Sequence, residues 1–221
     1  DDSPRTLGAT LLTGMSSAEL FALIALATVG TFTPGPNNTL AAALAANYGL
    51  RQALPFVCAV PVGWSVLLVA NALGLGAIVL SFPPLRWGLL AAGALYLLWL
   101  AWKLARTHTL NDATSSPIVG FKQGVLLQFI NIKAWLLAMS VASGWVVGHG
   151  DALRRLMEAL PVFLMFGFAS NFTYAWLGAR LRHWLRGPDD SALRLQWFNR
   201  LMAAALLGTV LWLIQSSLPQ V

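Results

Sequence analysis

The residues that could bind a polar ligand within the apolar part of this chain are few, and the first group is Thr33-Pro34-Gly35-Pro36-Asn37-Asn38. This group interrupts a run with no charged residue from Leu20 to Leu50. Two prolines around a glycine predict a broken helix, with Gly35 as an N-cap and Pro36 as the first residue of the second half. That half-helix would direct free N–H groups and a positive dipole end at a carboxylate, and Asn37 and Asn38 would add amide groups. The alternative is a structural kink whose asparagines bond to neighbouring backbone.

The second group is Asn131-Ile132-Lys133, inside the fourth apolar run. Lys133 lies about 21 Å along a helix from Val119, and an ammonium at that depth is costly unless it is paired or hydrated, so Lys133 is a candidate functional residue. Asn131 is predicted to cap the helix that begins there. The alternative for Lys133 is a side chain that extends to a nearby cytoplasmic interface.

Asn171, in the fifth apolar run, is a weaker candidate ligand. A lone asparagine in a membrane helix commonly makes a helix–helix hydrogen bond, and the same holds for Asn71 and Gln128. If Asn171 does bind a ligand, the pocket for the ligand's side chain is expected to depend on how it converges with residues such as Val29 and Trp64.

The composition is that of an integral membrane protein: of 221 residues, 57% are hydrophobic and 10% are charged. The basic residues sit at the ends of apolar runs and form no patch interleaved with aromatic residues, which argues against a nucleic-acid partner. The single cysteine, Cys58, excludes a disulfide framework and a thiolate metal site. The chain also lacks paired acids, a His/Cys cluster and a Ser/His pair at membrane depth, so we predict no catalytic residue, no metal, no cofactor and no enzymatic activity.

The apolar runs predict an all-α membrane protein with six transmembrane helices, the first of them broken at Pro34-Gly35-Pro36. A turn is predicted at Pro83-Pro84, between the second and third spans. The predicted spans are Leu20 to Leu50, about 54 to 80, Trp87 to Trp102, Val119 to about Val147, about Pro161 to Leu181, and about Leu201 to Leu218.

The polar connection from Thr107 to Pro117 divides a single transmembrane domain, residues 15–221, into two halves of about 16–106 and 118–218. Residues 1–14 are expected to be either a short tail outside the membrane or a segment preceding a true start at Met15. With the N-terminus outside, nine Lys and Arg residues fall in cytoplasmic loops and four fall on the other side, so both termini are predicted to be outside.

In this topology the two halves run in opposite directions, as in an inverted repeat of three helices each. The break at residues 33–36 and the interruption at residues 131–133 then occupy equivalent positions in the first span of each half. Paired interruptions of this kind indicate the binding site of a transporter.

Five short motifs, in a characteristic order and spacing, extend this interpretation over nearly all of Met15 to Leu218. Through them the chain resembles the lysine exporter / resistance to homoserine and threonine (LysE/RhtB) family of bacterial amino-acid exporters. The motifs are Thr33-Pro34-Gly35-Pro36-Asn37, residues 93–103 (GALYLLWLAWK), Phe121-Lys122-Gln123-Gly124, Asn131-Ile132-Lys133-Ala134-Trp135 and Leu177-Gly178-Ala179-Arg180-Leu181.

The resemblance implies a six-helix exporter of amino acids or related small metabolites in the bacterial inner membrane, driven by the proton gradient and able to form a homodimer. The family usually has Asn-Pro-Lys at the second interruption, so Ile132 in place of the proline predicts a milder second break. Because no carboxylate lies deep in a predicted span, Lys133 is the titratable candidate for carrying a proton.

We therefore expect an alternating-access exporter that needs only its small-molecule substrate, protons and the surrounding lipid. The substrate carboxylate would meet the half-helix at Pro36 to Asn38, with Asn131 and Lys133 on the opposite wall. One alternative is an exporter of ions or other metabolites, although the scarcity of membrane carboxylates argues against a divalent cation. The other alternative is a membrane scaffold subunit that transports nothing. The predicted substrate-binding residues are Pro34, Gly35, Pro36, Asn37, Asn38, Asn131, Lys133 and Asn171.

Overall fold

The computed structural model describes residues 14–107, 117–187 and 193–217, so the expected tail lies almost entirely outside the described residues. The described residues form nine α-helices and one π-helical turn and contain no strand, which confirms the all-α class for this part of the chain. In chain order the helices are α1 (Ser17–Phe32), α2 (Pro36–Tyr48), α3 (Leu50–Ala72), α4 (Leu75–Ser81), α5 (Pro83–Ala105), α6 (Phe121–Ile130), α7 (Ile132–Val141, continued by the π turn Ala142–Val146), α8 (Ala152–Arg186) and α9 (Leu193–Ser217).

Three of these helices, α3, α5 and α8, are long and apolar enough to cross a membrane. Two bent pairs, α1 with α2 and α6 with α7, pass the same test when each pair is taken together, so the described chain has up to five candidate spans. The architecture is that of a multi-pass membrane protein.

The first helix breaks where the sequence predicts. α1 ends at Phe32, Thr33 has extended backbone, and α2 begins at Pro36 with a bend of 52° between the two helices. Gly35 is the N-cap of α2 and Pro36 is its first residue, as expected from the two residue types. A proline loses no helical hydrogen bond at this position, so the bend follows from local sequence.

The second break is sharper than the sequence suggests. Asn131 has extended backbone between α6 and α7, and the two helices meet at 70°, so the prediction of a milder break was wrong. The reason is the cap: the Asn131 side chain accepts a hydrogen bond from the Lys133 backbone N–H at 3.2 Å. A side chain that satisfies a free N–H stabilises a new helix start without a proline.

Several predicted span limits were also wrong. The second span ends at Ala72, because Gly74 has a φ of 98°, in the region that favours glycine, and turns the chain into the separate helix α4. Pro83 begins α5 instead of ending a turn, since proline is well tolerated in a first helical turn. α8 begins at Ala152, nine residues before the predicted start, and runs through Pro161.

Two apolar clusters lie on the two sides of the helix breaks. The first contains residues of α2, α3, α5, α6, α8 and α9, and the second contains residues of α1, α3, α4, α7 and α8. Large members of the first are Leu44, Phe56, Leu100, Leu127 and Leu206. Large members of the second are Leu23, Trp64, Leu67, Trp135 and Phe163. The breaks therefore fall between two packed regions of the bundle.

α2 packs extensively against α8, and α3 packs extensively against α6. Glycines allow both approaches. A Cβ atom on Gly178 of α8 would overlap the Ala42 carbonyl oxygen of α2, and a Cβ on Gly63 of α3 would lie 2.8 Å from the Val125 carbonyl oxygen of α6. These direct backbone contacts hold α2, which follows the first break, and α6, which precedes the second break.

A buried pair of amides joins α2 to α9. Asn47 donates to the Asn199 side-chain oxygen at 2.7 Å and Asn199 donates back at 3.0 Å, and both residues are at most 1% exposed. Asn199 also donates to the Thr107 carbonyl oxygen, at the end of α5. The pair holds together three helix ends.

We expect Asn199→Leu to lower stability by about 1–3 kcal/mol, because it leaves the Asn47 amide buried without its partner. The double variant Asn47→Leu/Asn199→Leu should recover part of that loss, since it removes both polar groups together. Thermal unfolding of the detergent-purified single and double variants, followed by intrinsic fluorescence, measures both effects. Strictly additive losses would show that the two amides are not coupled.

Candidate functional site

A cavity of about 60 Å³ lies where the two broken spans meet. Five helices contribute to its wall: the end of α1, the starts of α2 and α7, and the middle of α3 and α8. Seven of the eight predicted binding residues line it, whereas Pro34 is exposed and lies outside the lining. The lining residues are Gly30, Thr31, Gly35, Pro36, Asn37, Asn38, Val60, Pro61, Trp64, Asn131, Lys133, Ala134, Leu137, Phe163, Gly167 and Asn171.

Lys133 connects the two breaks. Its ammonium donates a hydrogen bond of 2.6 Å to the carbonyl oxygen of Thr33, the C-cap residue of α1. The same side chain passes beside Gly35, where an added Cβ would lie 3.3 Å from Nζ. A lysine of α7 therefore places its charge at the start of α2, next to the positive end of that helix dipole.

Asn38 and Ser170 satisfy carbonyl groups at the end of α1. The Asn38 amide donates to the Thr31 oxygen at 2.9 Å and to the Thr33 oxygen at 3.2 Å, and the Ser170 hydroxyl donates to the Thr31 oxygen at 2.7 Å. Both side chains are buried. The last turn of a helix has carbonyls without helical partners, and here α2 and α8 supply the donors.

Tyr174 of α8 adds a third donor, because its hydroxyl bonds the Phe32 carbonyl oxygen at 3.0 Å. Ser170 and Tyr174 were not predicted as parts of this site, since a serine and a tyrosine in a membrane helix have many other uses. The signal would have been the spacing of four residues, which places both on one face of α8.

Asn37 is paired with Gln128 of α6 in a reciprocal amide contact. Asn37 donates to Gln128 at 2.9 Å, and Gln128 donates to Asn37 at 3.2 Å and to the Gly124 carbonyl oxygen at 3.0 Å. Gln128 is fully buried. The helix–helix hydrogen bond expected for Gln128 is therefore present, and it links the helices of the two breaks.

Asn171 lies on the opposite wall, on α8. It is 3% exposed, and its amide donates to the Gly167 carbonyl oxygen of the same helix at 2.8 Å. Its own side-chain oxygen has no hydrogen-bond partner. A buried acceptor without a partner is costly, which distinguishes Asn171 from the asparagines at the breaks.

The remaining wall is apolar. Trp64 and Phe163 stack with their ring centroids 4.3 Å apart, and the Trp64 indole donates to the Ala134 carbonyl oxygen at 3.2 Å. Leu137 completes this side of the cavity. Trp64 is thus placed as expected, whereas Val29 is 67% exposed and is not part of the lining, and Phe163 went unrecognised in the sequence.

No group of three or more potential metal-ligating side chains occurs within the described ranges. The carboxylates that the structure describes, Glu19, Asp151 and Glu158, do not line the cavity. The cavity thus contains two polar ends: the uncapped start of α2 beside the Lys133 ammonium, and the unpartnered side-chain oxygen of Asn171.

The structure combines apolar helices with two bent helix pairs, α1/α2 and α6/α7, whose breaks meet at a shared polar cavity. These features are typical of a membrane transport protein. A family model described as LysE type translocator matches residues 28–217. The chain belongs to the LysE type translocator family, and it is a transporter, not an enzyme. No solved structure gives a significant match.

Similar curated proteins include three that carry the name cysteine/O-acetylserine efflux protein. Each is 30% identical over 151 residues, which span 68% of this chain and 77% of the relative. They come from Escherichia coli O1:K1 / APEC, Escherichia coli (strain K12) and Shigella flexneri serotype 5b (strain 8401).

Proposed function

We propose that this protein exports amino acids or related small metabolites by proton-coupled alternating access. The observation that carries the proposal is the meeting of two broken helices at one cavity, with the Lys133 ammonium beside the start of α2. A carboxylate is the group such a site attracts, because the charge and the helix dipole have the same sign. The names of the similar efflux proteins support the same substrate class.

We propose six membrane crossings with both termini outside, in the bacterial inner membrane. The spans would be α1/α2, α3, α5, α6/α7, α8 and α9, which alternate in direction along the chain. The distribution of Lys and Arg supports this orientation, because nine of them fall on the proposed cytoplasmic side and four on the other.

The pattern of helix contacts supports an inverted repeat of residues 16–106 and 118–218 within one domain. An inverted repeat exchanges the first span with the fourth, the second with the fifth and the third with the sixth. At the level of whole spans the contacts agree with this exchange: the first span packs on the fifth through α2 and the fourth packs on the second through α6, while α3 with α8 and α5 with α9 are pairs that exchange into themselves.

In this arrangement the cytoplasmic side is closed. α2 is buried along most of its length, whereas the buried residues of α1 are Leu23 and Ala27. The cavity reaches Gly30 and Leu137, on the outer side of the two breaks. An export cycle requires a second arrangement in which α2 separates from α8 and exposes the same residues to the cytoplasm.

Ionic contacts join α1 to α8 at the proposed outer end. Arg155 is 8% exposed and bonds Glu19 at 2.8 Å and Asp151 at 2.9 Å, and the Trp145 indole donates to the Glu19 carbonyl oxygen at 3.1 Å. Release of substrate to the outside would involve opening of the Glu19–Arg155 contact. We propose protons as the coupling ion. The proposed partners are the surrounding membrane lipid and a second copy of the chain, with which it would form a homodimer.

Counterflow tests this function. Proteoliposomes that contain purified protein and unlabelled L-cysteine under reducing conditions should take up radiolabelled L-cysteine faster than protein-free vesicles, and an imposed pH gradient should drive net movement. Absence of counterflow for cysteine, O-acetylserine and a panel of the common amino acids would reject export in favour of a scaffold role. Counterflow that is insensitive to the pH gradient would reject the proton coupling alone.

A further inference from the structure

We infer that the side-chain oxygen of Asn171 accepts a hydrogen bond from the ammonium group of a zwitterionic α-amino acid, and that the cavity disfavours a cationic side chain. This inference rests on the proposed export function and names a specificity-determining residue of the same site. It follows from the two polar ends of the cavity and the chemistry of the wall between them.

The first polar end is a place for a carboxylate. α2 begins at Gly35 without a side-chain cap, so the N–H groups of its first turn have no capping side chain. The amides of Asn37 and Asn38 do not fill this role, because their donors are used by Gln128 and by the carbonyls of α1. Lys133 adds a full positive charge beside the same turn.

The second polar end is Asn171. The hydrogen bond from its amide nitrogen to the Gly167 carbonyl fixes the orientation of the amide, since a flipped amide would place two oxygens together. The side-chain oxygen is left without a partner in a residue that is 3% exposed and lines the cavity. A ligand that donates an N–H would satisfy it, and an ammonium is the strongest such donor.

The wall between these ends disfavours a cationic side chain. Trp64, Phe163 and Leu137 present apolar surface, and no carboxylate among the described residues lines the cavity. A lysine or arginine substrate would bring a second positive charge close to Lys133 with no counter-charge. A buried charge without a partner costs several kcal/mol, so a cationic side chain is expected to weaken binding.

Competition in the cysteine counterflow assay tests the inference. The competitors are unlabelled L-cysteine, 3-mercaptopropionate (the same molecule without the amino group) and L-lysine. In the wild-type protein 3-mercaptopropionate should inhibit at least tenfold more weakly than cysteine, and lysine should inhibit little. Equal inhibition by cysteine and 3-mercaptopropionate, or by cysteine and lysine, would overturn the inference while counterflow itself still supports export.

The variant Asn171→Leu tests whether this residue makes the contact with the ammonium group of the substrate. The variant should bind cysteine at least tenfold more weakly and leave the inhibition by 3-mercaptopropionate unchanged, so that the preference for the amino group disappears. A retained preference would show that Asn171 has only a structural role. Should Asn171→Leu not fold, Asn171→Ser takes its place, and Asn171→Asp, which keeps an acceptor oxygen, is expected to retain the preference.

Discussion

Lys133→Met is expected to lower the rate of cysteine counterflow by about tenfold to a hundredfold. Methionine has a similar length and no charge, so the change removes the cation at the start of α2. A hydrogen bond to a charged group contributes roughly 1.5–3 kcal/mol, and each 1.4 kcal/mol is a factor of ten in affinity. Counterflow rates at several cysteine concentrations, in vesicles of equal protein content, measure the effect.

Lys122→Met is the matched control, because Lys122 is an exposed lysine in the first turn of α6. It should transport like the wild type. The Lys133 variant should also elute as a folded species in size-exclusion chromatography, since its ammonium bonds a single carbonyl of an exposed residue, Thr33. Equal transport by the two variants would remove Lys133 from the binding site and leave it as a cap of α1.

The features of the site that local sequence determines could be predicted. Pro36 is well suited to the first position of a helix, and Gly35 before it is a suitable N-cap, so the break and the start of α2 follow from two residues. Asn131 caps α7 for a comparable reason. The size of the second bend was underestimated because proline was considered the main cause of a break, although a capping asparagine is sufficient.

The contacts that hold the breaks together could not be predicted, because they depend on tertiary packing. Thr173 and Ser170 are both hydroxyl residues of α8, yet Thr173 bonds a carbonyl of its own helix and Ser170 reaches Thr31 of α1. The sequence does not distinguish these two uses of a hydroxyl. Likewise, Asn37 and Asn38 were expected to face the substrate, and the structure shows their amides bonded to Gln128 and α1.

The asparagines at the first break mainly stabilise the break, while the unpartnered polar groups of the cavity belong to the backbone of α2 and to Asn171. Asn37→Ala is therefore expected to act through the Gln128 contact, by loosening α2 from α6. Under the proposed function, the bonded asparagines hold in place the groups that would contact the substrate.

Gly178→Val is expected to have the largest effect on folding. A Cβ at this position would overlap the Ala42 carbonyl oxygen, and a backbone atom cannot move aside as the end of a flexible side chain can. α2 and α8 would have to separate along an interface that includes Ala41, Ala45 and Ala175. Overpacking of a well-packed core costs roughly 1–3 kcal/mol, and direct overlap with a helix backbone belongs at or above the top of that range.

Gly88→Ala is the matched control, because it also adds a side chain to a helical glycine and meets nothing within 4 Å. It should be neutral or stabilising by up to about 1 kcal/mol through helix propensity. Thermal unfolding and the yield of monodisperse protein distinguish the two variants.

The smaller change Gly178→Ala should favour the arrangement that is open to the cytoplasm, because α2 must separate from α8 for the cavity to open on that side. This effect is measured on the fraction of the variant that folds. The accessibility of a cysteine introduced by Ala41→Cys to a thiol reagent should then rise. If both this accessibility and the melting temperature are unchanged, α2 and α8 are not in contact at Gly178.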